Sequence, residues 1–380
     1  MTLTASDVVR RVLKSVPLID GHNDVPWQLR NRFDNDIAAC DFHDTSSLQP
    51  PMHVDITRLR SGLVGAQCMA AYVPIELAGP GAADVMFEQL AVATRLVEAY
   101  PEDLALARSA DEVETIFQDG RVATLLAVEG GHGLENSIAH LEAAYAAGAR
   151  YLTLVHNIHT DWADCCRVDP VHNGLTDEGR EIVRRMNQLG MLVDLSHSST
   201  KTMHDVLDVS PAPVACTHSG ARAINDYPRN ADDEILRRIA AGGGIAMATF
   251  VPYFVSAEVT QHEAAEQGEQ ARLAMLHPDE PERRAAALVE WKRTNPTPRA
   301  TVAQVADHID HMCEVMGFEH VGIGSDYDGI ADVPDGLEDV SALPNLLEEL
   351  AQRGYGETKL GAIAGGNFLR VLRAVEGAAS

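Results

Sequence analysis

Short runs of β-branched and apolar residues recur along the chain, separated by segments whose apolar positions repeat at helical spacing. The runs at 16–20 (VPLID), 64–73 (VGAQCMAAYV), 122–128 (VATLLAV), 151–155 (YLTLV), 191–195 (MLVDL), 213–217 (PVACT), 244–250 (GIAMATF) and 320–324 (HVGIG) predict eight buried strands. Amphipathic helices are predicted over Gln89–Glu98, Ile138–Ala147, Asp177–Leu189, Asp233–Ala241, Val302–Met316 and Leu343–Gln352, several followed by a glycine suited to a helix C-cap. Such alternation implies α/β architecture with parallel strands, and closing eight of them into a (β/α)8 TIM barrel leaves no strand edge exposed. A doubly wound open sheet is the alternative, but no glycine-rich phosphate turn follows the first run. Residues 257–298, rich in Ala, Glu and Arg, are too long for a plain loop and predict a helical insertion over the barrel mouth or at a subunit contact. One barrel accommodates all 380 residues, so residues 1–380 read as a single domain.

In a barrel the chemistry collects where strands pass into the loops that follow them. Here those positions are polar. They are Gly21-His22-Asn23-Asp24, Glu129-Gly130-Gly131, His156-Asn157, Ser196-His197-Ser198, His218-Ser219-Gly220 and Ser325-Asp326-Tyr327-Asp328. His22 and Asp24 are two residues apart, a spacing that on a strand turns both side chains to one face. Each group alone has a plain structural reading: a carboxylate before Gly-Gly can bind turn amides, and a lone histidine at a strand end is commonly a hydrogen-bonded core residue. Their combination changes the balance. Three imidazoles and two or three carboxylates around one mouth are costly to bury without compensating positive charge, which divalent cations supply. Five ligands that include a shared carboxylate suit two ions about 3.5–4 Å apart. Nitrogen and carboxylate donors without thiolate favour Zn2+, although Mn2+ and Co2+ fit the same geometry. Cys68, Cys165, Cys166 and Cys216 read as packing residues, and His132 and His159 as solvated loop histidines near the mouth.

Charge narrows the partners. Thirty basic against 56 acidic residues give a formal charge of −26, which repels DNA or RNA over most of the surface. Neither a signal peptide nor an apolar stretch of about 18 residues is present, so no membrane association is expected. Six irregularly spaced cysteines do not make a disulfide framework, and reduced thiols in a cytoplasmic protein fit best.

The segments IDGHNDVPW, EGG, LTLVHN, VDLSHSS, THSGARA, YPRN, GIGSDYDG and GGNFLRV span nearly the whole chain. Together they resemble the membrane (renal) dipeptidase family, the M19 metallopeptidases of the amidohydrolase superfamily. The resemblance implies a metal-dependent hydrolase barrel with two Zn2+ per subunit, cleaving the amide bond of small dipeptides (L-Xaa-L-Xaa and/or L-Xaa-D-Xaa) with a metal-bridging hydroxide. It implies that His22 and Asp24 bind one zinc, His197 and His218 the other, and that Glu129 bridges them in place of the carboxylated lysine of many relatives. By the same resemblance His156 contacts the scissile carbonyl, Arg229 grips the substrate's free carboxylate and Asp326 is the general acid/base. Asp328 is the rival for that last role but suits a loop cap better. The planar fork of Arg229 is chemically apt for a carboxylate. Unlike exported, lipid-anchored animal members, this chain resembles a bacterial-type soluble one, and a homodimer is a family-level expectation. Two other readings stand beside the dipeptidase: another amidohydrolase-type reaction, such as N-acyl amino acid deacylation or lactone hydrolysis, and a metal-binding protein without turnover.

Overall fold

The computed structural model describes residues 4–380. Nine strands form one parallel sheet: β1 (Leu18–Asn23), β2 (Val64–Tyr72), β3 (Leu104–Leu106), β4 (Val122–Glu129), β5 (Ala149–Thr153), β6 (Leu192–Asp194), β7 (Val214–Ser219), β8 (Ile245–Ala248) and β9 (Val321–Ile323). Eight follow one another around a nearly closed barrel in the order β1-β2-β4-β5-β6-β7-β8-β9. The ninth, β3, was not predicted. Its three residues pair with Val122–Thr124, the first half of an edge of β4 whose second half pairs with β5.

The barrel closes between β9 and β1 without a continuous ladder. An isolated parallel bridge joins Asn23 to Tyr327, with the Asp24 N–H donating to the Tyr327 carbonyl at 2.9 Å and the Asp326 N–H to that of His22 at 3.0 Å. The buried carboxylate of Asp20 adds to this seam by accepting from the Ser325 N–H at 2.8 Å and its hydroxyl at 2.6 Å.

Residues that alternate along the strands divide between two apolar clusters. Ile19, Cys68, Leu125, Tyr151, Ala215 and Met247 belong to one, which the terminal helix Asn367–Gly377 extends through Phe368, Leu372 and Val375. Leu18, Met69, Val128, Leu152, Val193 and Val321 join the other, with the flanking helices. Both faces of the strands are therefore covered, as parallel sheets require.

Five of the six predicted helices form with the stated bounds, and Gln89–Glu98 lies within the longer Ala82–Ala99. Gly148 and Gly190 follow two of them with φ of 118° and 73°, the left-handed backbone that glycine adopts at least cost. The predicted insertion is a hairpin of two helices, Ala257–Leu276 and Pro281–Thr294. It stands largely in solvent, with Met275 84% and Val289 69% exposed. Among the described residues no helix is long and apolar enough to cross a membrane.

Candidate active site

The polar strand ends meet at one mouth of the barrel. His22 lies on β1 where the pairing with β2 slips between Asp20 and Asn23. Asp24 is not on the strand, as its spacing predicted, but caps the helix Val25–Phe33 with φ −112° and ψ 33°. It reaches the same place regardless: its Oδ2 lies 3.5 Å from His22 Nε2. Glu129 is the last residue of β4, and its two oxygens face different partners. Oε2 lies 3.6 Å from His22 Nε2, whereas Oε1 lies 3.1 Å from His197 Nε2 and 3.3 Å from His218 Nε2. His197 follows β6 in left-handed backbone, φ 68°, and His218 is in β7.

The protons of these imidazoles follow from what surrounds them. Tyr151 donates its hydroxyl proton to the Gly21 carbonyl at 3.0 Å, so at 2.8 Å it can only accept from His22 Nδ1. Thr217 donates to Asp194 Oδ2 at 2.8 Å, which leaves its oxygen to accept from His218 Nδ1 at 3.0 Å. His197 Nδ1 donates to Asn157 Oδ1 at 3.3 Å. With Nδ1 protonated in each ring, the neutral form of each imidazole presents its lone pair at Nε2, and all three Nε2 atoms aim at an acceptor-only carboxylate. His197 and His218 bring theirs within 3.1 Å of each other, and His22 Nε2 has no hydrogen-bond partner. Lone pairs gathered this way fit cations between them, with the Nδ1 partners fixing ring orientation.

Charge points the same way. Burial drives His197 well below the ordinary histidine range and His218 to about 3, so both are neutral. Burial opposes charge on His22 too, but Glu129 and Asp24 outweigh it and hold that imidazole well above its usual value. The site's carboxylates demand a positive charge, and a proton on His22 is the nearest substitute for a metal.

Three overlapping groups could hold an ion, their donor atoms within 4.8 Å of one another: His22, Glu129 and His218; Glu129, His156 and His197; and His22, Asp24 and Asp326. Glu129 is shared by the first two and His22 by the first and third.

A cavity of about 290 Å3 opens above these residues, and His156, Arg229 and Asp326 line it. Asp326 follows β9 with φ 68°. Burial, reinforced by Asp24 and Glu129 against the pull of His22, raises its carboxyl well above the usual range. Gly329 packs so closely that a Cβ there would lie 2.2 Å from Asp24 Oδ2 and 2.5 Å from Asp326 Oδ1. His156 is neutral, lowered by burial to about 4. Asn157 Nδ2, a donor, lies 3.5 Å from its Nε2, which leaves an unpartnered N–H at Nδ1. Arg229 is 1% exposed. One nitrogen, Nη2, donates to the His218 carbonyl at 3.3 Å, while Nε and Nη1 have no partner.

All eight residues singled out in the sequence are therefore brought together. Asp328 is elsewhere engaged: its carboxylate accepts the His53 and Val54 N–H groups at 2.8 and 3.1 Å, the loop cap expected of it. His132 is not solvated as expected but 8% exposed, with Nε2 on the Val73 carbonyl at 2.8 Å. His159 supports its own loop through Asp169 and Cys165. Cys216 is packed in the core. The orienting residues Tyr151, Asn157 and Asp194 and the cavity residues Trp27, Tyr72, Arg167 and Tyr253 were not assigned from sequence. Asp20 and Asp194, acids within otherwise apolar runs, and Asn157, beside His156 at a strand end, left a signal.

Solved structures with the same fold include the probable dipeptidase PvdM of Pseudomonas aeruginosa (24% identity, 99% of each chain, TM-score 0.84). The metallopeptidase dipeptidase AC, of family M19, is 25% identical over 96% of this chain and 99% of its own, with TM-score 0.78. A metallopeptidase of Rhodobacter sphaeroides, liganded with a phosphinate mimic of the dipeptide L-Ala-D-Ala, is 24% identical over 95% and 99%, with TM-score 0.76. The membrane dipeptidase model, peptidase family M19, matches residues 6–380, nearly the entire chain, and this protein belongs to that family.

Proposed function

We propose that this chain, one catalytic unit over residues 1–380, is a dipeptidase that uses two Zn2+ ions. The observation that carries the reading is the convergence of three histidine Nε2 atoms on the two separate oxygens of Glu129. His22 and Asp24 would hold one ion, His197 and His218 the other, with Glu129 between them. Bound divalent cations supply Lewis acidity and lower the pKa of water.

The remaining steps belong to side chains. Asp326, which lines the cavity beside Asp24 and Glu129, is placed to take a proton from the attacking water as a carboxylate and return it to the leaving amine. The free Nδ1–H of His156 can donate to the oxygen that gains charge as the carbonyl is attacked. Arg229 presents two unpartnered nitrogens to the carboxylate of the substrate's C-terminal residue. That carboxylate, one residue from the cleaved bond, selects the last peptide bond of a short peptide, which in a dipeptide is the one amide there is. The phosphinate dipeptide mimic held by the R. sphaeroides relative supports this substrate class, with an L- or D-residue at the second position. Six free cysteines suit a reducing cytoplasm, and the exposed Met275, Leu276 and Val289 offer a contact for the homodimer.

The test is hydrolysis by zinc-loaded protein of L-Xaa-L-Xaa and L-Xaa-D-Xaa dipeptides, with N-acyl amino acids and lactones as alternatives. Asp326→Asn should lower kcat by about a hundredfold or more with both ions retained. Arg229→Met should raise KM by about a hundredfold, because the substrate carboxylate loses a buried charged partner. Wild-type kinetics in either variant would reject that residue's role, and metal-loaded protein inert to every dipeptide would reject the function.

A further inference from the structure

A second cavity, of about 350 Å3, adjoins the first. The two share Tyr253, Gly329 and Ile330, so one wall separates them and the same residues line both sides. The outer chamber is built largely from Val259 and Glu263 of the insertion helix and the 297–300 segment that returns from the hairpin to the barrel. The strand-end loop 329–333 completes it.

Its charge is one-sided. Arg299, the basic residue of the lining, is committed to Asp335, with Nε 2.6 Å from Oδ1. Glu263 and Asp332 also line the chamber and have no cationic partner among the described residues. Glu263 receives the Gln267 amide at 3.4 Å, a weak contact. Around these acids the lining is apolar, from Val259, Pro252, Ile330 and Val333. A long apolar stem ending in a positive charge matches such a chamber, because the methylenes bury against the walls while the head reaches the acids.

The direction of the substrate connects the two cavities. With the C-terminal carboxylate on Arg229 and the amide at Glu129, the amino-terminal residue is left the rest of that cavity, whose lining includes Asp24, Asp326 and the shared Gly329 and Ile330. We propose that the outer chamber is the subsite for the side chain of that amino-terminal residue, and that Glu263 makes it selective for lysine or arginine there. This inference rests on the dipeptidase reading and adds the substrate class.

Rates on lysyl-alanine, methionyl-alanine and alanyl-alanine, with zinc-loaded wild type, Glu263→Gln and Ala331→Trp, test it. Methionine matches the stem of lysine without its charge. In wild type, kcat/KM for lysyl-alanine should exceed that for methionyl-alanine by about tenfold, the scale of one charge-assisted contact. Glu263→Gln should bring that ratio close to one. Ala331→Trp, which fills the chamber from an exposed position, should lower the rates on both long substrates relative to alanyl-alanine. Equal wild-type rates on lysyl- and methionyl-alanine, with alanyl-alanine cleaved, would overturn the subsite and leave the dipeptidase intact. Failure to cleave any of the three would overturn both.

Discussion

Asp326 and Asp328 both sit in left-handed backbone, with φ of 68° and 66°, a conformation that non-glycine residues hold only where surroundings enforce it. His53 supplies much of that enforcement. Its Nδ1 accepts the Asp328 N–H at 3.0 Å, which requires a neutral imidazole, and its own N–H donates to the Asp328 carboxylate. Burial lowers the His53 pKa to about 4. The unfolded chain takes a proton near 6.5, so the folded state loses stability as the pH falls from 6.5 toward 4. His53→Gln keeps an acceptor but cannot titrate, and the fall of Tm across that window should be shallower than in wild type. Gly329→Ala carries a different penalty, since its Cβ would displace both Asp24 and Asp326. Its kcat should drop by roughly a hundredfold, the order expected when a catalytic group moves by about 1 Å, while circular dichroism stays unchanged. At this scale the sequence was informative about groups that carry chemistry, because several histidines and acids at successive strand ends are together costly to bury without a cation, although each alone has a plain structural reading. It assigned no role to Tyr151 and Asn157, whose roles arise only when β5 faces β1 across the barrel and lies beside β6.

Among the elements, the helices Ile138–Ala147 and Asp177–Leu189 were fully legible, since each stops at a left-handed glycine, and the second also carries a clear amphipathic repeat. Strand bounds were less so. The first run was read as 16–20, whereas β1 is Leu18–Asn23, because polar residues that end an apolar pattern continue the backbone ladder when their side chains turn into the barrel. Asp24 shows the limit of period-two reasoning: the strand stops one residue before it, and the turn into the following helix carries it to the site. β3 escaped notice because three residues are too few to show a period. The insertion was recognised by composition, but which residues face solvent required the fold. Met275, Leu276 and Val289 are exposed there, so changing all three to glutamine should shift unfolding by less than about 1 kcal/mol, measured by denaturant titration. If they form the homodimer contact, sedimentation will show a monomer in that variant.

The whole barrel depends on one weak join. Seven of its neighbour pairs share a ladder, but β9 and β1 are held by a single bridge, the Asp20–Ser325 hydrogen bonds and the loop bonds around His22 and Tyr327. Glu129 ends β4, His218 is in β7 and His197 follows β6, whereas His22 and Asp24 come from β1 and the turn after it. Ions bound among them would brace the first strand against the far wall. Free metal a thousandfold above its dissociation constant should stabilise the fold by about 4 kcal/mol, which chelation would remove. Hydrogen exchange after chelation should rise first in β1 and β9, and a uniform rise would contradict the brace.

The seam has a further consequence for the life of the protein. With ions bound as proposed, that seam would be the stave that loosens when divalent metal is scarce, and it is the one nearest the amino terminus. Cells short of metal would then clear the idle enzyme by proteolysis from that end, and the loaded molecules would be the ones that persist.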